Sequence, residues 1–203
     1  MKVLLINGSP HEKGCTYTAL SLIAGELNAA GIETEILNVG TKPVGGCIGC
    51  GGGKGCVFGG VVNEAIEKAK TADAFVFGTP VHYASASGNM TSFMDRLAYA
   101  GGRYLAYKPA AICCSARRAG TTSTLDQLVK YPEFFHMPLV SGSYWPMVHG
   151  SNPEQVLQDA EGCAVMQELG RNMAWLLRCI EAGKAAGIQH PENPRRPMTN
   201  FIR

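Results

Sequence analysis

Charged side chains are scarce in this sequence. They make up 17% of its 203 residues, with 18 Lys and Arg against 16 Asp and Glu, for a formal net charge of +2. Globular domains carry about 25%. The basic residues form no run longer than a pair, which excludes the clustered footprint of a nucleic-acid-binding surface. Long apolar runs are missing too. Nothing approaches the roughly 18 apolar residues of a membrane span. The opening run Val3–Ile6 breaks at Asn7-Gly8-Ser9-Pro10, well short of the roughly 7–15-residue core of a signal peptide. A cytoplasmic protein is expected, with no membrane and no nucleic acid among its partners. Its eight cysteines are then read as reduced thiols or metal ligands, not as a disulfide framework. No Ser-His-Asp or paired-carboxylate arrangement stands out. What the chain does have is 46% apolar residues, which excludes intrinsic disorder, and a length that fits one domain. It also has 25 glycines, concentrated in one place.

Short apolar runs alternate with helical stretches. Lys2–Ile6 reads as a buried strand. Thr16–Ala30 places Leu20, Ile23, Ala24 and Leu27 at helical spacing and stops at Gly31. Glu33–Asn38 alternates as a half-exposed strand, and Asn63–Lys70 is a short helix. Ala74–Gly78 is a buried strand, Asn89–Tyr99 a helix, Ala110–Cys114 a strand, and Leu125–Lys130 helical. Leu139–Tyr144 is the candidate fifth strand. Asn152-Pro153-Glu154 reads as an N-cap with Pro at the first helical position, opening a helix that runs to Ala186. Five strands with intervening helices predict a doubly wound α/β parallel sheet, helices on both faces. Residues 1–187 form that domain. Residues 188–203, with Pro191, Pro194 and Pro197, form an extended tail. Phe201 and Ile202 are predicted to dock it on its own body or on a partner subunit.

In open α/β sheets, ligands bind beyond the carboxyl ends of the strands. Three loops lie there. The first, Asn7–Thr18, offers the hydroxyls of Ser9, Thr16 and Thr18 and the glycines Gly8 and Gly14 ahead of a helix. Backbone N–H groups at a helix start, with a few hydroxyls, suit a phosphate. The Gly-Lys order of a Walker loop is reversed at Lys13-Gly14, and Gly-x-Gly-x-x-Gly is absent. The loop therefore suits a phosphate monoester, set against the alternative of an ordinary capped turn. The second, Gly78–Asn89, carries Pro80, Val81, His82 and Tyr83, which suit a flat ligand or plain packing equally. The third, Cys113–Thr122, carries Ser115, Arg117, Arg118 and Gly120, an anion contact or a solvated basic loop.

Taken together, Gly-Ser-Pro…Gly-Cys-Thr, then Thr-Pro-Val-His-Tyr, then Ser-Ala-Arg-Arg-Ala-Gly-Thr resemble the NADPH-dependent FMN reductase family of flavodoxin-like proteins. Segments 87–97 and 144–150 extend the resemblance over nearly the whole chain. It implies a flavodoxin-like five-stranded sheet and an FMN-dependent oxidoreductase. NAD(P)H would be the co-substrate, a quinone or flavin the small-molecule acceptor, and a homodimer or higher homo-oligomer the assembly. It implies that Ser9, His11, Cys15 and Thr16 surround the FMN phosphate. Pro80, Val81, His82 and Tyr83 would lie along the isoalloxazine, with Ser115, Arg118 and Gly120 on its other side. His82, Tyr83 and Arg118 would border the reactive face as the catalytic candidates. Position 15 is Cys where many members have Asn, and position 11 is His where many have Arg.

Residues 45–60 contain nine glycines and three cysteines. Cys47-x-x-Cys50 has metal-ligand spacing and Cys56 lies near. The segment resembles the iron–sulfur flavoprotein branch of the same family, in which a third cysteine would fall at Gly53. A cubane cluster takes four thiolates, so free thiols are preferred here and no metal ligand is assigned. The alternatives are a cluster with an unusual fourth ligand, and zinc or a reversible disulfide. A cluster would make the protein an iron–sulfur electron-transfer flavoprotein. Cys113, Cys114, Cys163 and Cys179 are read as core residues. His136, in the aromatic stretch 131–137, is read as packing, with a flavin lid or a dimer contact as alternatives.

Overall fold

The computed structural model describes residues 1–193 and 198–201. In chain order the elements are β1 (Lys2–Asn7), α1 (Cys15–Ala29), β2 (Glu33–Asn38), α2 (Val61–Ala69), β3 (Ala74–His82), β4 (Ser85–Ala86), α3 (Gly88–Gly101), β5 (Ala110–Ala116), α4 (Thr121–Phe134), β6 (Met147–His149), α5 (Pro153–Val156) and α6 (Ala160–Ala185), with a 3-10 turn at Gly102–Tyr104. The strands β2-β1-β3-β5-β6 form a parallel sheet, and β4 folds back antiparallel on the end of β3.

Successive side chains of a strand point to opposite faces, and here each face has its own apolar layer. Leu4, Ile6, Phe75, Phe77, Ile112 and Cys114 pack against α2, α3 and α4, through Ile66, Met90, Phe93, Leu97 and Leu128. Val3, Leu5, Val76, Ala111 and Cys113 pack against α1 and α6, through Leu20, Ile23, Leu27, Met166, Leu169 and Met173. Burying one such side chain contributes about 1.5–3 kcal/mol, so the central strands, continuous apolar runs, anchor the fold. Burial pushes the Cys114 thiol up to about 12 and the Cys113 thiol higher still. Both are packing groups.

Three expectations are corrected. The fifth parallel strand is Met147–His149, not Leu139–Tyr144. Leu139 makes a single bridge to Ala110, after which the chain leaves the edge and rejoins it where Cys114 N–H donates to the Pro146 carbonyl (3.0 Å). The predicted helix from 153 to 186 is two helices. Asp159 interrupts it, because its carboxylate accepts from both His149 N–H (2.7 Å) and Gly162 N–H (3.0 Å), tying the start of α6 to β6. Cys179 is exposed and Cys163 half-buried, so neither is a core residue. Of the two arms of the tail expectation, Phe201, 98% exposed, is not covered by its own body, and the partner-subunit arm stands; Ile202 lies outside the described residues. His136 stacks on Tyr107 with centroids 5.5 Å apart, at the amino end of β5. It therefore stands at the opposite edge of the sheet from the three loops.

Candidate active site

The chain passes from β1 to β2 on one side and to β3 on the other, so the loops after β1 and β3 diverge and leave a crevice at the switch point. Asn7, fully buried at the end of β1, builds the first loop. Its side-chain N–H group donates to the Glu12 carbonyl and to Asn38 Oδ1, and its Oδ1 accepts from Ser9 N–H. Ser9 Oγ in turn accepts from His11 N–H (3.1 Å). Gly8 lies against α3, where an added Cβ would meet Met90 Sδ at 2.7 Å. Ser87 Oγ donates to the Gly8 carbonyl (2.9 Å), which ties the first loop to the start of α3.

α1 then opens at Gly14 with no side-chain cap. The first turn of any helix leaves N–H groups without intrahelical partners, and these carry the positive end of the helix dipole. Thr16 Oγ1 and Ser115 Oγ lie 2.8 Å apart beside them, buried. Burial pushes the Cys15 thiol above its ordinary value, so it stays protonated and its S–H points to the Gly150 carbonyl at 3.6 Å.

The second loop is a tight hairpin. Val81 pairs with Ala86 and His82 with Ser85, leaving Tyr83 (φ 51°) and Ala84 (φ 61°) at the tip. Positive φ at both tip residues is the geometry of a turn that normally takes Asn-Gly. α4 holds the strained tip in place. Gln127 Oε1 accepts from Ser85 Oγ (2.7 Å) and Ala86 N–H (3.0 Å), and Ser123 Oγ donates to the Ala84 carbonyl (2.7 Å). Gly120, at φ 95°, lets the third loop approach, since a Cβ there would lie 2.5 Å from Ala84 Cα.

The crevice holds a cavity of about 300 Å³ lined by Ser9, His11, Cys15, Thr16, Pro80, Val81, His82, Ser115, Ala116, Arg117, Gly150 and Ser151. Eight sequence-selected residues thus come together. Tyr83, Arg118 and Gly120 do not line it. Tyr83 stands at the hairpin tip, fully exposed. Arg118 contributes its carbonyl, which accepts from His149 Nε2–H (3.1 Å). The His149 ring faces Asp159 on its other nitrogen at 3.6 Å, so the dyad fixes the third loop from below. Arg117 is the arginine on the cavity, and the turn after β6 supplies Gly150 and Ser151. Sequence reading missed that turn because it placed the fifth strand too early; the signal was the Gly150-Ser151-Asn152-Pro153 break.

A sequence model of the NADPH-dependent FMN reductase family matches residues 1–152. An iron–sulfur flavoprotein of Archaeoglobus fulgidus is 30% identical over 198 residues, covering 91% of this chain and 96% of that protein. An iron–sulfur flavoprotein of Methanocaldococcus jannaschii is 28% identical over 193 residues, covering 89% and 100%. Among solved structures, an NAD(P)H:quinone oxidoreductase from Methanothermobacter marburgensis superposes with TM-score 0.66 at 16% identity, covering 85% of this chain and 98% of that one. A flavodoxin from the domain Archaea gives 0.61 at 13%, covering 88% and 99%. The fold is flavodoxin-like.

The cavity fits FMN by its donor set: an uncapped helix start with hydroxyls at one end, and an apolar and imidazole wall at the other. The cysteine segment does not fit a four-thiolate cluster. Cys47 and Cys50 are exposed, but Cys56 is buried, and its sulfur accepts Arg96 Nε–H at 3.1 Å. The Arg96 guanidinium is buried as well, held by the Gly45 and Gly59 carbonyls and by the ring of Phe58. Among the described residues no group of three or more His, Cys, Asp or Glu is placed to hold a metal. The segment is a strap closed by Arg96. Among the same residues, no helix is long and apolar enough to cross a membrane.

Proposed function

The chain belongs to the NADPH-dependent FMN reductase family, and on that footing we propose that it is an FMN-dependent oxidoreductase. Reducing equivalents pass from NAD(P)H to a small acceptor such as a quinone or flavin. The observation that carries this reading is the convergence of four carboxyl-end loops on one crevice whose donors are left open by the fold.

The first turn of α1, with the hydroxyls of Ser9 and Thr16, would hold the phosphate. The absence of an acidic residue from that turn keeps its positive potential intact. His11 borders the same end, and the protonated Cys15 thiol adds no negative charge to it. Pro80, Val81 and His82 would form the wall for the ring and keep water from it. Bound FMN supplies hydride and electron transfer between a nicotinamide and an acceptor. The protein's contribution is placement and charge. Arg117 presents a cation to the cavity, suited to stabilise negative charge developing in the reduced state. The His149–Asp159 pair positions the backbone that bears it. His82 is the side chain best placed to touch both cofactor and acceptor. Tyr83, displayed outside the cavity, is available to an incoming acceptor or to a second subunit of a homo-oligomer.

The test is steady-state oxidation of NADH and NADPH by the FMN-loaded protein with a quinone acceptor, in wild type and Arg117→Ala. Turnover that requires both FMN and acceptor, reduced at least about tenfold in the variant (about 1.4 kcal/mol), is the expected result. Full FMN binding with no turnover on quinone or flavin would make the protein a carrier or a binder.

A further inference from the structure

The sheet edge beside β5 is broken, and the break is built. Between its two contacts with the edge chain, β5 advances from Ala110 to Cys114 while the edge chain advances from Leu139 to Met147. Ala110 exchanges backbone hydrogen bonds with Pro138 and Val140, Cys114 N–H donates to Pro146, and the Ala116 carbonyl accepts from Gly150. Backbone groups alternate sides along a strand, so the N–H and C=O of Ile112 face the same edge. Among the described residues, no backbone hydrogen bond reaches them there. Pro146 has no N–H to give.

In front of Ile112 lies a cavity of about 420 Å³, lined by Leu125, Val129, Leu139, Val140, Tyr144 and Trp145 among others, with Asp126 its one charged lining residue. It is larger than the crevice and has no basic lining residue; its hydroxyls are those of Ser141, Ser143 and Tyr144 on the loop side. It is also held open. Glu168 on α6 accepts from Ser143 N–H (2.8 Å) and Oγ–H (2.6 Å), and Asn172 donates to the Ser141 carbonyl (2.8 Å), which pulls loop 141–143 away from β5. An unpaired donor and acceptor of a sheet edge inside a mainly apolar cavity are complementary to an extended peptide segment with apolar side chains.

We propose that this gap receives residues 198–202 of a second copy of the chain. Met198 is 86% exposed and Phe201 98% exposed, so the segment carries apolar surface that its own body does not cover. It contains no proline, and the surrounding tail holds Arg195, Arg196 and Arg203 with no acidic residue after Glu192. That charge suits Asp126 on the cavity wall. Seating in the same chain is not what the structure shows, since the cavity stays open while Phe201 stands in solvent. The tail is anchored by His190, stacked on Tyr107 (4.5 Å), close to where Leu139 meets β5. Each copy would therefore offer tail and gap along one side of the molecule. The inference does not depend on the cofactor.

The experiment is sedimentation equilibrium on the full-length FMN-loaded protein and on Phe201→Asp, with Trp145 emission read in a Trp175→Phe background and amide exchange followed at Ile112. The expected result has three parts. Wild-type self-association is stronger than that of the variant by about tenfold or more. Trp145 emission is blue-shifted and Ile112 protected only at concentrations where subunits associate. FMN binding is unchanged in both. A second variant, Val129→Glu, blocks the gap, and mixing it with Phe201→Asp restores partial association because one intact tail meets one intact gap. Three outcomes overturn the proposal: equal association of wild type and Phe201→Asp; Ile112 protection independent of concentration, which assigns the segment to its own chain; and association unchanged by Val129→Glu.

Discussion

At the scale of single residues, the site depends on positions where the ordinary choice is missing. Tyr83 and Ala84 occupy a turn that glycine and asparagine normally fill, and they hold it because Gly120, Ser123 and Gln127 leave the tip nowhere else to go. Gly120→Ala tests the point. The substitution places a methyl group on Ala84 and demands a positive φ of a residue that resists it. The expected cost is about 1–3 kcal/mol in urea unfolding, together with weaker FMN binding, because the second and third loops separate. An unchanged midpoint and affinity would show that the hairpin is placed by other contacts. Much of this scale was legible. Ser9, Thr16, Pro80 and His82 were readable from loop chemistry, Ser115 from the family resemblance, and all five line one cavity. Arg117 could not be separated from Arg118, because which of two adjacent arginines enters a cavity is set by the turn of the loop around Ala116 and not by residue type.

At the scale of elements, the helices and buried strands followed from periodicity because each buries one continuous face. The edge did not. Its strand is three residues long, and the looped-out run before it holds more apolar residues than the strand itself, with Leu139, Val140, Tyr144 and Trp145 against Met147 and Val148. Hydrophobicity therefore pointed to the wrong segment, and the backbone pairing of Cys114–Ala116 with Met147–His149 places the true one. The split between α5 and α6 was hidden for a similar reason: an Asp within a helical pattern gives no sign that it caps a second helix. The same edge makes a pH prediction. The Ser143 hydroxyl and amide hold the Glu168 carboxyl below its ordinary value. A depressed carboxyl contributes stability that is fully present above its unfolded value, about 4.3, and is lost as pH falls through the folded value. Amide exchange at Ser143 should therefore accelerate as pH is lowered from about 5 toward that lowered value, with the sheet amides unaffected. Exchange at Ser143 that shows no pH dependence beyond the intrinsic rate would remove Glu168 as the tether.

At the scale of the whole molecule, the architecture does one thing: it brings the carboxyl ends of β1, β3, β5 and β6 to one edge and leaves the start of α1 uncapped among them. The apolar layers on both faces fix that edge in place, and the variable chemistry is carried by loops. The Arg96 strap over residues 45–60 is a second, independent feature of the same body. It places the buried Cys56 sulfur under a guanidinium, and the segment offers three cysteines where a cubane cluster takes four thiolates. The central claim is that the crevice binds FMN through the α1 start. The most direct measurement is titration of the apoprotein with FMN by flavin fluorescence, alongside riboflavin and the Thr16→Val variant, with the visible spectrum recorded at saturation. The account predicts one FMN per chain with two resolved flavin bands. It also predicts affinity at least about tenfold weaker for riboflavin, which lacks the phosphate, and a loss of several-fold in the variant. Equal affinity for FMN and riboflavin, or no binding of either, would contradict it.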